Sequence, residues 1–86
     1  MSGLDVRVKV RLFAGLREAL SRGELDLELP DDATPEDAWL QLAAGREDLA
    51  PRRRSLAVAI NRRYARFDER LSDGDELAFI PPVSGG

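Results

Sequence analysis

An 86-residue chain with 43% apolar and 34% charged residues is long enough for one folded domain and too short for a second core. It contains neither cysteine nor histidine, which excludes disulfides, thiolate and imidazole metal ligands, and most nucleophilic mechanisms. A formal net charge of −3 argues against a general nucleic-acid binder, and no apolar run approaches the roughly 20 residues of a membrane helix.

Met1 to Val10 alternates charged and apolar residues and lacks the apolar block of a secretory signal, so the cytoplasm is the expected location, with no membrane or nucleic-acid partner. Val6, Val8, Val10 and Leu12 alternate with Arg7, Lys9 and Arg11, the period of a strand with one buried face. Phe13 breaks that pattern by falling on the charged face. Leu16 to Leu20 is compatible with one helical turn ending near Gly23. Leu25, Leu27 and Leu29 then alternate with Asp26 and Glu28 as a second strand, close enough to the first to pair with it as a hairpin.

Pro30 ends that strand. Thr34 is an N-cap candidate, followed by Pro35 at the first helical position and by Glu36 and Asp37 at the positive end of the helix dipole. The helix is expected to run to about Ala44, with Gly45 past its end and Ala38, Trp39, Leu42 and Ala43 on one stripe. Arg46 to Arg54 is polar, contains Pro51 and reads as a loop. Leu56 to Ile60 reads as a strand buried on both faces, Asn61 to Arg63 as a turn, and Tyr64 to Phe67 as a short edge strand. Ser72-Asp73-Gly74-Asp75 is a turn, and Glu76 to Ile80 is the last strand. Pro81 and Pro82 stop the pairing, because neither has an N–H to donate. The order predicts an α+β fold of the β-grasp (ubiquitin-like) type: a roll with a mixed sheet of four to five strands and one main helix packed across it. It is expected to occupy residues 1–80, with residues 81–86 as a flexible C-terminal Gly-Gly tail.

Chemistry has few places to reside in such a chain. Asp31-Asp32 and the Asp73/Asp75 pair serve turns and caps better than catalysis, and no metal site is expected. Arg52-Arg53-Arg54, with Arg62 and Arg63, reads as solvated surface, with phosphate or an acidic partner as the alternative. Trp39 suits the core. The informative segment is Phe79-Ile80-Pro81-Pro82-Val83-Ser84-Gly85-Gly86: a strand, a stiff diproline, then two glycines without Cβ atoms. The six residues from Pro81 reach up to about 20 Å when extended, enough to carry a terminal carboxylate into another protein's active site. Taken alone, a Gly-Gly end reads more readily as a frayed polar terminus, since chain ends are usually disordered.

The ending Asp73-Gly74-Asp75-Glu76 with Ala78-Phe79-Ile80-Pro81-Pro82-Val83-Ser84-Gly85-Gly86 closely resembles that of the MoaD family, the small subunit of molybdopterin synthase. Val10-Arg11-Leu12-Phe13-Ala14-Gly15-Leu16-Arg17-Glu18 is similar to that family's opening, and the diproline favours it over the related ThiS carriers of thiamine synthesis. The match is weakest from Arg46 to Arg54. The resemblance implies a β-grasp fold and a non-catalytic role. An adenylyltransferase of the ubiquitin-activating type would adenylate the Gly86 carboxylate with ATP and Mg²⁺. A sulfurtransferase or cysteine desulfurase would supply the sulfur that makes it a thiocarboxylate. The large synthase subunit, in an expected heterotetramer, would pass that sulfur to a cyclic pterin precursor. Pro81, Pro82, Val83, Ser84 and Gly85 would insert with the tail, and Phe13, Tyr64 and Ile80 would dock the partner; this chain would bind no cofactor itself. Alternatives are a sulfur carrier for thiamine or tungsten-cofactor synthesis, a ubiquitin-like modifier conjugated through Gly86, and an interaction domain with an inert tail.

Overall fold

Inward valines and outward charges build the first strand, β1 (Val6–Leu12), with buried and exposed residues in strict turn as far as Val10. The computed structural model describes residues 5–82. Phe13 caps a two-turn helix, α1 (Ala14–Leu20), which ends at Ser21 in the left-handed conformation, φ 59°. The helix thus starts before the predicted Leu16 and stops before Gly23. Strand β2 (Glu24–Leu29) returns antiparallel to β1, pairing Val6 with Leu29 and Val10 with Leu25.

Helix α2 (Pro35–Ala43) begins with a reciprocal cap. The Asp37 N–H donates to Thr34 Oγ1 at 3.3 Å, and the Thr34 N–H donates to Asp37 Oδ2 at 3.0 Å. Gly45 follows with φ 74°, a backbone state that glycine adopts without a Cβ clash. The next segment, Arg46 to Arg54, is not the simple loop that its polar residues and Pro51 suggest. A 3₁₀ helix spans Ala50–Ser55, and Leu49 just before it is fully buried.

Three short strands complete the sheet: β3 (Ala57–Ile60), β4 (Arg63–Ala65) and β5 (Glu76–Ile80). The order across it is β2-β1-β5-β3-β4. β5 lies in the centre, parallel to β1 and antiparallel to β3. Parallel neighbours need a long crossover, and the chain between them supplies α2 on one face of the sheet. This is the expected α+β arrangement, a mixed five-stranded sheet with one main helix.

Two strand predictions need adjusting. β3 is not buried on both faces throughout: Val58 and Ile60 enter the core, Ala59 is covered on the opposite face, and Ala57 is exposed. β4 is Arg63–Ala65 rather than Tyr64 to Phe67, because Phe67 leaves the sheet to pack on Phe79 with ring centroids 6.4 Å apart.

The core lies between the sheet and α2. Phe79 has Leu12 and Val58 as its strand partners, and Trp39 meets it edge to face at 5.4 Å. Among the described residues no helix is long and apolar enough to cross a membrane, and no group of three or more acidic residues is placed to hold a metal ion.

Candidate functional site

Period two decides what the opposite face of the sheet displays. Because Leu77 and Phe79 point into the core, Glu76, Ala78 and Ile80 point away from it, as do Arg11 of β1 and Phe13, the extended residue that follows it. Ladder pairing sets these side chains in rows. Arg11 neighbours Ala78, Ala78 neighbours Ala59, and Ala59 neighbours Tyr64. Two alanines in mid-row leave a depression, and larger groups rise on both sides. The result is a groove of about 450 Å³ lined by Phe13, Ile80 and Tyr64 together with Arg11, Arg62, Glu76 and the alanine floor.

The three apolar residues singled out for docking therefore share one surface. Phe13 is 42% exposed and Tyr64 79% exposed, which is unusual for aromatic side chains, while Ile80 is half-buried. Leu40 is a further large apolar side chain on the surface, on α2 and away from this groove.

β5 carries the chain directly from groove to tail. Pro81 is half-buried and Pro82 exposed, and both border an apolar hollow of about 220 Å³ with Leu16, Arg52, Ser55 and Leu56. Val83, Ser84, Gly85 and Gly86 lie outside the described residues, so the expected working group and most of the expected tail do too.

The acidic turns have structural partners. Asp73 Oδ1 accepts the Arg7 N–H at 2.8 Å, and Asp75 Oδ2 accepts the Ser72 N–H at 2.7 Å. Asp32 pairs with Arg70. The arginine run divides. Arg53 lies over the Phe67 ring at 3.4 Å and pairs with Glu36 at 2.6 Å, and Arg52 Nε donates to the Asp48 carbonyl at 3.1 Å. Arg62 instead joins the groove. In a separate cluster, Arg46 donates to both carboxylate oxygens of Asp48, at 3.2 and 2.9 Å, and holds that carboxyl below its ordinary value.

Sequence reasoning did not single out Arg11, Arg62 and Glu76 as one group. Alternation put Arg11 on the outer face, but which strand would lie beside it was not visible.

A profile described as the ThiS family matches residues 10–86. The molybdopterin synthase sulfur carrier subunit of Chlamydomonas reinhardtii is 39% identical over 83 residues, covering 94% of this chain and 100% of that protein. The protein of the same name from Escherichia coli K12 is 39% identical over 82 residues, covering 92% and 99%. Among solved structures, small archaeal modifier protein 1 of Haloferax volcanii superposes with a TM-score of 0.77 at 28% identity, covering 91% of this chain and 99% of that one. A chain in the complex of subunits 1 and 2 of the molybdopterin-converting factor from Helicobacter pylori superposes with a TM-score of 0.60 at 25% identity, covering 94% and 100%.

Proposed function

The chain belongs to the ThiS family, and from that membership together with its molybdopterin synthase sulfur carrier relatives we propose that it carries sulfur for molybdopterin synthesis on the carboxylate of Gly86. The observation that supports this best is the extent of the match, which runs through Gly86 and so takes in the diproline and both glycines along with the domain that presents them.

A carboxylate is a poor electrophile. In the proposed cycle the Gly86 carboxylate attacks the α-phosphorus of ATP, with Mg²⁺, on an adenylyltransferase of the ubiquitin-activating type. Pyrophosphate leaves, and the acyl-adenylate that remains has AMP as a good leaving group. Persulfide sulfur from a sulfurtransferase or cysteine desulfurase displaces AMP. Cleavage of the resulting S–S bond by a thiol leaves the thiocarboxylate. The large synthase subunit then receives the tail and transfers the sulfur to the pterin precursor, while water takes the sulfur's place on the acyl carbon and restores the Gly86 carboxylate. The Helicobacter pylori complex of subunits 1 and 2 supports a large-subunit partner.

In this reading the chain is the reagent and its partners hold the catalytic groups. That division suits a sequence with no histidine or cysteine. Phe13, Tyr64 and Ile80 dock the globular part, while Pro81 and Pro82 direct the tail away from β5 toward the partner's reaction centre. The thiocarboxylate has a direct test: intact mass after incubation with an activating enzyme, ATP, Mg²⁺ and a sulfur donor. One oxygen replaced by sulfur is the expected result, and an unchanged mass in a system that sulfurates another carrier would overturn it.

The likeness to small archaeal modifier protein 1 favours a second reading, conjugation of Gly86 to lysines of other proteins. Isopeptide-linked Gly86 in cell extracts, without any thiocarboxylate, would select it.

A further inference from the structure

Apolar docking leaves unused the charges on the groove floor. Glu76 stands between two arginines from different parts of the chain. Arg11 Nη1 of β1 is 3.5 Å from Glu76 Oε2, and Arg62 Nε of the β3–β4 turn is 3.9 Å from Glu76 Oε1. Both separations are long. Arg53 and Arg46, by contrast, hold their carboxylates at 2.6 and 2.9 Å. A guanidinium offers five N–H donors in a rigid fork suited to carboxylates, so the groove holds donor capacity that Glu76 does not use. Two guanidinium groups against one carboxylate leave it positive, on a chain whose net charge is −3.

The backbone keeps these groups in place. Asn61 and Arg62 both have positive φ, 52° and 71°, as a tight hairpin turn requires. Asn61 anchors that turn to β5: its Oδ1 accepts the Glu76 N–H at 3.0 Å, and its Nδ2 donates to Asp75 Oδ1 at 2.9 Å. Arg62 and Glu76 are thus presented from one braced corner, and Arg11 enters from the adjoining parallel strand.

We propose that the groove receives a partner segment carrying a carboxylate side chain among apolar ones, with the carboxylate seated between Arg11 and Arg62. Its apolar neighbours cover Phe13, Ile80 and Tyr64. Glu76 occupies the two arginines while the groove is empty and competes with the incoming group. This rests on the docking role proposed above and supplies its chemistry. A protein segment suits the aromatic walls and alanine floor better than a polyanion, which the net charge of the chain repels.

The test is calorimetric affinity of the full chain for the large synthase subunit, at low and high salt. Replacing Arg11→Gln and Arg62→Gln together is expected to weaken binding about ten- to a hundredfold at low salt and to flatten the salt dependence. Glu76→Gln is expected to tighten it several-fold by removing the internal competitor. Arg62→Gln alone guards against misfolding, because that side chain is 81% exposed, and it should weaken binding while leaving the melting temperature unchanged. Normal affinity and salt dependence in the double glutamine variant, with binding lost when Phe13 and Ile80 become serine, would overturn the carboxylate and leave the apolar docking intact. No binding by the unaltered chain would overturn both.

Discussion

Phe13 shows how one position at the end of a strand acquires a role. Its neighbour Leu12 is buried against Phe79, so alternation turns Phe13 out beside Ile80, where it is 42% exposed. Replacing Phe13 and Ile80 with serine removes apolar area of which only the exposed part, most of it on Phe13, becomes buried in a complex. At about 25 cal/mol per Å² and on the order of 100 Å² for the pair, the expected loss is about 2–3 kcal/mol of partner affinity, read by calorimetry, with the cost in stability confined to the half-buried Ile80. Deleting Gly86 should do the reverse. The groove still docks, but the carboxylate sits one residue, roughly 3.5 Å, short, so adenylation should fall by orders of magnitude while binding largely persists. Normal sulfuration of the shortened chain would rule out the terminal-carboxylate mechanism. Phe13 and Ile80 were legible because period two turns them away from Leu12 and Phe79; Tyr64 was placed only by the turn before it, and the family resemblance joined the three. Arg62 was read with Arg63 as surface charge, since nothing local shows that its turn faces Glu76.

Among the elements, the segment from Arg46 to Ser55 differs most from its sequence reading. Its charged residues and Pro51 hide the one fully buried side chain, Leu49, because a single apolar residue sets up no period. Arg46 braces the segment by donating to the Ala19 carbonyl at 3.0 Å, joining it to α1. Leu49→Ala should therefore cost about 2–5 kcal/mol in chemical denaturation, the range for a core leucine, and a loop leucine would cost far less. The same segment makes a pH prediction. The hydrogen bond from Arg46 holds the Asp48 carboxyl below its ordinary value of 3.8. A depressed carboxyl stabilises the fold above its unfolded value, and that contribution disappears as pH falls through the folded one. Arg46→Ala should bring the Asp48 titration midpoint, followed by NMR, back toward 3.8. A midpoint unmoved by the substitution would mean that Arg46 does not hold Asp48 in solution. The capped helix α2, by contrast, was readable almost to its last residue, because Thr34, Pro35, Asp37 and Gly45 each act on the backbone beside them.

At the scale of the whole molecule, stability and function meet in β5. The strand sits centrally between β1 and β3, buries Leu77 and Phe79 on one face, floors the groove with Glu76, Ala78 and Ile80 on the other, and continues into the diproline. Phe79→Ala should cost about 3–5 kcal/mol, a large share of the 5–15 kcal/mol typical of a native domain, and should lower the urea midpoint accordingly. An unchanged midpoint would place Phe79 at the surface and reverse both faces of the strand. By itself the sequence determined the faces of β1, β2 and β5, the main helix and its cap, the turn before β5 and the run into Pro81 and Pro82. All of these depend on residues within a few positions of one another, where periodicity, capping and missing N–H groups act. Only the tertiary structure decided that β5 lies parallel to β1, that Leu49 completes the core, and that Arg11, Arg62 and Glu76 share one groove. Such pairings join residues as many as 67 positions apart, as Lys9 and Glu76 are, and it is the burial of the whole sheet against α2 that selects them.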